Sequence, residues 1–481
     1  MPKLTDWIAA ETRFATDAML AAVSATHLVT ERRGLGQRVV PRPGSVLASP
    51  VPAHYDPDPD YFFHWFRDSA LVIDALRVAL LEGDAEPAAV GRLGEFVRFS
   101  RELGSLDGRA FLAQVTWRSG VQPAFLQFLR PEEEIAALSG ESLRADVRVN
   151  ADGTPDLIRW SRPQTDGPAL RSLALMRWWP LLADAQLRED ASEVIDGDLA
   201  FVLSHTREPS FDIWEERNGH HYYTQLLGAE ALRIGAAWLE EAGQAMRAQH
   251  CRAAADALIS RLDALWSTAA GHYRASDAMP AADGSRELDI AVVLGALHTD
   301  RVRGRHSVLD PRTQATLAAL EQLFEAEYAI NRQLPEGLAP AMGRYPNDRY
   351  YSGGAYYFAT LAAAEFHFRL ADTLNTGEPL VTAAENQEFL NRLGCPAASG
   401  DGRAVAARAL ERGDAFMRTV QRFTPANGEL AEQFDRTSGE QTSARRLSWS
   451  YAAFITAAAA RAQACRSRPP PAAATPPAGT A

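Results

Sequence analysis

The sequence predicts an all-α fold, a toroid of helical hairpins in which alternate helices line an inner ring and the others surround it. Apolar residues recur at the 3.6-residue helical period in about a dozen segments, whereas the period-two alternation of strands is scarce. The connections between segments are unequal in length and show no fixed repeat. This argues against a superhelical solenoid, the competing way to stack helix pairs.

The segments fall near 4–27, 69–82, 90–101, 167–183, 191–204, 220–241, 244–266, 287–298, 310–327, 354–372, 401–421 and 448–465. Asp68 and Ser69 stand at the start of the second, and Gly83 follows its end. Pro168 stands where a proline is tolerated in a first helical turn. The polar, aromatic-rich stretches lie between helices, at 52–68, 141–168, 205–221, 342–357 and 425–449. Ordered loops on a rigid helical scaffold are where a site is expected.

Composition narrows the function. The chain has 481 residues, 46% hydrophobic and 23% charged, with ten tryptophans, enough to bury a large core. The rule of roughly 150 residues per domain would give three domains, but closed barrels often exceed it. A net charge of −12 without a Lys/Arg cluster excludes nucleic acid as a partner. Asp6, Glu11 and Arg13 interrupt the N-terminal stretch where a secretory peptide needs an unbroken apolar run, and no stretch is long and apolar enough to span a membrane. Cys251, Cys395 and Cys465 fit neither a disulfide framework nor a zinc spacing, which points to reduced thiols and a cytoplasmic setting. The Pro/Ala-rich segment 467–481 has almost nothing to bury and is expected to be disordered.

Five clusters carry the chemistry. Tyr61 to Ser69 is an aromatic run ending in Arg67-Asp68; it reads either as a hydrophobic staple with a surface ion pair or as a sugar-binding edge, since rings stack on sugar faces and Arg and Asp bond hydroxyls. Arg159 to Pro168 reads as the start of a helix capped by Asp166, but that leaves Trp160, Arg162 and Gln164 without a task. In Phe211 to Gly219, Glu215 and Glu216 follow Trp214; adjacent acids usually form a solvated face, yet a carboxyl desolvated beside an indole and next to a like charge keeps a proton to donate. Gly343 to Gly354 is a turn-rich aromatic loop, and the fifth cluster runs from Asn427 through Glu432 to Tyr451. Paired carboxylates with arginines and a surplus of indoles and phenols are the inventory of a carbohydrate-hydrolysing pocket.

The blocks WFRDSALV, WSRPQTDGPALR, DIWEERNG, GRYPNDRYY and EQFDRTSGEQTSARRLSWSYAAF, in this order across roughly residues 55–460, resemble glycoside hydrolase family 15, the glucoamylase family. The resemblance implies an (α/α)6 barrel, six helical hairpins forming one catalytic domain over residues 1–466, with the pocket at one end of the inner ring. It places Glu215 as general acid and Glu432 as general base. Arg67 and Asp68 take the place of the pair that grips the terminal glucose, with Tyr61 and Trp65 beside them. Trp160, Arg162, Glu216 and Arg344 match residues lining the terminal and adjoining sugar subsites; Trp449 falls in the aromatic wall, and Trp214 joins the substrate-binding set. Asp435 and Glu440 are near enough to rival Glu432, but only Glu432 holds the motif position.

The implied activity is that of an inverting, exo-acting glucan 1,4-α-glucosidase releasing β-D-glucose from non-reducing ends of α-glucans or maltooligosaccharides. No metal or organic cofactor is expected, since the motifs contain no His/Cys ligand cluster. After Tyr351 the chain reads Ser-Gly-Gly-Ala-Tyr-Tyr where fungal relatives have an Asn-Gly-Asn-Pro-Trp type sequence, so an outer-subsite wall is changed. The choice among α-1,4, α-1,6 and α,α-1,1 linkages stays open, with a trehalase or glucodextranase on the same scaffold as the alternative. A non-catalytic sugar-binding regulatory protein is a further one, opposed by the retention of both Glu215 and Glu432.

Overall fold

A computed structural model describes residues 2–53, 57–85, 88–113, 117–277, 286–332, 334–395 and 401–468. Most of the 467–481 segment expected to be disordered lies outside the described residues. Among the described residues, twelve helices of eight or more residues are numbered in chain order. They are α1 (Leu4–Ala22), α2 (Phe66–Glu82), α3 (Ala88–Leu103), α4 (Asp166–Trp178), α5 (Ala185–Ser204), α6 (Tyr222–Glu241), α7 (Ala245–Asp263), α8 (Ala291–His298), α9 (Pro311–Glu327), α10 (Tyr357–Asn375), α11 (Gly402–Phe423) and α12 (Ser448–Arg466).

The even-numbered helices form a closed ring. Each packs on the next, from α2 through α4, α6, α8 and α10 to α12, which returns to α2. The odd-numbered helices lie outside: α1 against α12, α3 against α5 and α2, α5 against α4 and α6, α7 against α6, α9 against α8, and α11 against α10. This is the (α/α)6 barrel, and ring closure is what separates it from an open solenoid.

The two rings differ in sequence as their positions require. Outer helix α11 buries one stripe, Val405, Ala409, Gly413, Phe416 and Val420, at three- and four-residue spacing, and its other face is charged. Inner helix α10 is buried nearly all round, and its alanines let neighbours approach. At Gly413 a Cβ would stand 2.4 Å from the Phe368 ring, so the α10–α11 contact admits no side chain there.

Capping follows the same division. Asp184, Asp310 and Asp401 cap outer helices by accepting from backbone N–H groups of the first turn. In none of the six inner helices does the N-cap residue's own side chain cap the helix, although Asp289 accepts from Ala291 N at 2.7 Å at the start of α8. Their N-terminal amides and positive dipole ends are left to the loops and to the site that those loops build.

Helix positions follow the apolar periodicity, with displaced ends. The second helix begins at Phe66 rather than 69, which puts Arg67 and Asp68 in its first turn. The fifth begins at Ala185 rather than 191, because the Asp184 carboxylate accepts from Leu187 N at 2.7 Å. Asp166 is not a cap: it is the first residue of α4, preceded by Thr165. Strands are two or three residues long among the described residues, and they clamp loops rather than build a sheet core. Between α3 and α4 the chain forms short helices, Gly108–Ala113 and Glu132–Ala136, over a small core that includes Phe99, Leu129 and Leu157. Among the described residues, no helix is long and apolar enough to cross a membrane.

Candidate active site

The loops that lead into the inner helices meet at one end of the ring, around a cavity of about 530 Å³. Tyr61, Trp65, Arg67, Asp68, Trp160, Trp214, Glu215, Glu216, Arg344, Glu432 and Trp449 all line it. Its volume falls in the range of small-ligand sites, roughly 300–1,000 Å³.

Glu215 sits in a tight loop whose ends are clamped by antiparallel pairing of Ser210 with Gly219 and Phe211 with Asn218. Inside the loop Asp212 Oδ1 accepts from Glu216 N at 2.7 Å and Arg217 N at 3.2 Å. Glu215 itself adopts φ +64°. A left-handed non-glycine residue costs about 1–2 kcal/mol and persists only where its surroundings hold it. They do so here: Glu215 Oε1 accepts from Trp65 Nε1 at 2.8 Å and Arg67 Nη2 at 2.9 Å, while Oε2 accepts from Trp160 Nε1 and the carbonyl from Ser161 Oγ. Beneath these two indoles lies Arg148, fully buried, its guanidinium 3.9 Å from the Trp160 ring and 4.5 Å from that of Trp65. Asp156 pairs with Arg148 at 2.9 Å.

Arg67 is shared by three acids. Its Nη2 lies 2.9 Å from Glu215 and 3.3 Å from Asp68, and its Nη1 lies 3.6 Å from Asp166. Burial, opposed by Arg67 and reinforced by repulsion from Glu215, holds Asp68 above the usual carboxylate range. The same balance, with Asp68 also repelling, brings Asp166 up to about 6. Arg67 Nε and Nη1 and Asp68 Oδ2 are buried without a hydrogen-bond partner in the protein. The charge pairs of Arg67 with Asp68 at 3.3 Å and with Asp166 at 3.6 Å offset part of the cost of burying these atoms.

Glu432 comes from the loop before α12, held in a three-stranded clamp in which Gln433 pairs with Thr442 on one side and Tyr356 on the other. Its Oε2 accepts from Ser443 Oγ, and its Oε1 from Tyr61 OH at 3.4 Å. Burial pushes its carboxyl up to about 7; the Ser443 hydrogen bond and the Arg344 charge pull the other way. The rings of Tyr61 and Trp65, 5.1 Å apart, thus serve different acids, Tyr61 meeting Glu432 and Trp65 meeting Glu215.

Glu216 faces a different set of partners. Tyr345 OH donates to it at 2.6 Å, Arg344 Nη2 at 3.2 Å, and Arg286 forms an ion pair with it. Arg344 is itself fixed by Asp348 through two bonds of 2.7 Å. Trp214 donates to Asp289 at 2.8 Å, and its ring stacks with those of Phe358 and Trp449, which lie 4.2 Å apart. Burial brings Asp289 up to about 7.

The sequence profile of the glycosyl hydrolases family 15 matches residues 144–459. The chain belongs to this family. It is 30% identical over 439 residues to Glucoamylase-1 of Schizophyllum commune, covering 87% of this chain and 69% of that protein. It is 31% identical over 322 residues to Glucoamylase 1 of Rhizopus oryzae, covering 62% of this chain and 52% of the relative. The chain thus spans between about half and two thirds of the length of such relatives. Among solved structures, the family 15 glucoamylase from Hypocrea jecorina superposes with a TM-score of 0.77 at 26% identity, covering 96% of this chain and 72% of that one. That of Saccharomycopsis fibuligera, at 22% identity, shares the fold with a TM-score of 0.79.

Of the residues matched to the family 15 site, one stands apart. Arg162 is absent from the cavity lining; its guanidinium is taken up by Asp146 at 2.5 Å and Asp156 at 3.0 Å, so it holds the loop that carries Trp160. The rival acids are also away from the cavity: Asp435 accepts from Thr437 N and Ser438 N in a turn, and Glu440 is exposed. The structure adds residues that the motifs left unassigned. Arg159, Tyr350 and Phe358 line the cavity. Arg148, Asp166, Arg286, Asp289, Tyr345 and Ser443 contact residues that line it.

Proposed function

We propose that this protein is an inverting, exo-acting glucan 1,4-α-glucosidase that releases β-D-glucose from the non-reducing ends of α-glucans or maltooligosaccharides. The observation that carries the reading is a single cavity holding two separately supported carboxyls, Glu215 and Glu432, beside the Arg67–Asp68 ion pair. The names of the related glucoamylases support the reaction class.

In this reading Glu215 is the general acid. Its Oε1 is the fixed end, bonded to buried Trp65 and Arg67, whereas Oε2 meets Trp160, 37% exposed at the rim, and is the end that reaches the departing glycosidic oxygen. Glu216 is taken up by Arg286, Arg344 and the Tyr345 hydroxyl. Glu432 is the general base, taking a proton from the water that attacks the anomeric carbon from the opposite face; an inverting pair stands about 6.5–9.5 Å apart to admit that water. Arg67 and Asp68 bond hydroxyls of the terminal glucose, with Tyr61, Trp65, Trp214 and Trp449 around the ring, and Glu216, Arg344 and Trp160 serve the next sugar. The reaction uses no metal or cofactor in this scheme.

The test is a substrate panel: purified protein with maltose, isomaltose, trehalose, maltoheptaose and dextran, following glucose release. Preference for maltose and maltoheptaose is expected; release from trehalose or dextran alone would contradict the α-1,4 assignment. With this reading goes a cytoplasmic setting, supported by three cysteines that are all unpaired, two of them buried. Cell fractionation that recovers the protein outside the cytoplasm would overturn it.

A further inference from the structure

An apolar strip leads away from the cavity mouth. Phe125, Leu126 and Phe128 are 37%, 46% and 53% exposed, on a two-turn 3-10 helix, Pro123–Phe128, that buries none of its side chains. Scattered exposed apolar residues are ordinary, but three within four positions form a patch that calls for a partner. The backbone fixes where this patch lies. Leu129 pairs antiparallel with Ile158, and Arg159 N donates to Phe128 O at 2.8 Å. This sets Phe128 across from Arg159, and both are exposed. Arg159 lines the cavity and Trp160 follows it at the rim, so the strip starts at the mouth and runs outward.

The strip is also rigid. The Phe125 ring lies against Gly34, where a Cβ would come within 2.4 Å of it. The Phe125 and Phe128 rings meet edge to face, centroids 6.2 Å apart at 69°. Arg159 Nε is tied to Leu129 O at 2.8 Å. Fixed rings beside a guanidinium suit an extended ligand with apolar C–H faces and a hydroxyl rim, and little order has to be imposed on binding.

We propose that Phe125 and Phe128, with Arg159, form a platform for the outer glucosyl units of a long α-glucan whose non-reducing end occupies the cavity. The platform rests on the activity proposed above. It makes the protein favour longer chains over disaccharides, which end before the strip begins.

The test compares wild type with Phe128→Ser and Phe125→Ser/Phe128→Ser on maltose and maltoheptaose. The double variant should lose about tenfold in kcat/KM on maltoheptaose, equivalent to about 1.4 kcal/mol, with maltose within about twofold of wild type. An equal loss on both sugars assigns the rings a structural role and overturns the platform, as does no loss on either. Calorimetry with maltoheptaose keeps the two readings apart. A wild-type protein that hydrolyses neither sugar yet binds maltoheptaose about tenfold more tightly than the double variant would overturn the activity and support the platform. Wild-type dimerisation abolished by the double substitution, with no chain-length effect, would give the strip to a second copy of the chain and overturn the proposal.

Discussion

Replacing Ser443 by alanine removes the donor on Glu432 Oε2 while leaving the clamp of Gln433 with Thr442 in place. A hydrogen bond to a charged group contributes about 1.5–3 kcal/mol, and water admitted to the site recovers part of it. A net loss of about 1.4 kcal/mol corresponds to one pH unit. Burial already pushes Glu432 up to about 7, and Ser443 pulls it down, so the substitution raises it further. The base must be ionised to accept a proton, so kcat/KM falls on the acid side of this ionisation. The wild-type acid limb is therefore expected near pH 7, and that of Ser443→Ala about one unit higher, with about tenfold less activity on the limb. The assay is kcat/KM on maltose across pH, with circular dichroism to confirm the fold. An unmoved or downward-moved limb in a folded variant would show that Glu432 is not the group whose ionisation limits the reaction.

Glu215→Gln should nearly abolish hydrolysis of maltose yet retain some turnover of α-glucosyl fluoride, whose leaving group needs less protonation, whereas Glu432→Gln should depress both; fluoride release measures the difference. Arg67→Ala or Asp68→Ala should lower kcat/KM by orders of magnitude, since hydroxyl contacts that tighten at the transition state are lost; near-wild-type kinetics would remove the terminal-sugar grip from this loop. Arg148→Met leaves Asp156 buried with Arg162 as its remaining charge partner, and should cost about 3–5 kcal/mol in denaturant unfolding. The stability held by protonated Asp289 is fully present below the unfolded carboxylate value near 4 and is lost as pH rises through about 7. Asp289→Asn keeps one acceptor for the two donors Trp214 Nε1 and Ala291 N, so its Tm relative to wild type should be higher at pH 8 than at pH 4, as thermal melts will show.

The inner ring was legible because its helices carry long apolar periodicity, and five of its six loops because each concentrates aromatic and charged residues. The sixth loop, before α8, escaped: its contributions, Arg286 and Asp289, stand singly and gain meaning only through Glu216 and Trp214 on another loop. Ser443 escaped for a related reason, since a hairpin register brings it back to Glu432 from eleven residues downstream. Arg162 shows the converse. A motif position matched it to the sugar site, but two buried aspartates claim its guanidinium, and burying Asp146 and Asp156 without it would leave charge uncompensated. Phe128 gave no sequence signal, because exposure beside a pocket is a property of the folded surface.

The anomer first released from maltoheptaose, whose reducing end stays on the remaining oligosaccharide, tests the central claim most directly. Proton NMR recorded before mutarotation should show β-glucose appearing first, as attack by a water held by Glu432 on the face opposite Glu215 requires. α-Glucose appearing first would contradict the arrangement and the roles assigned to both carboxyls.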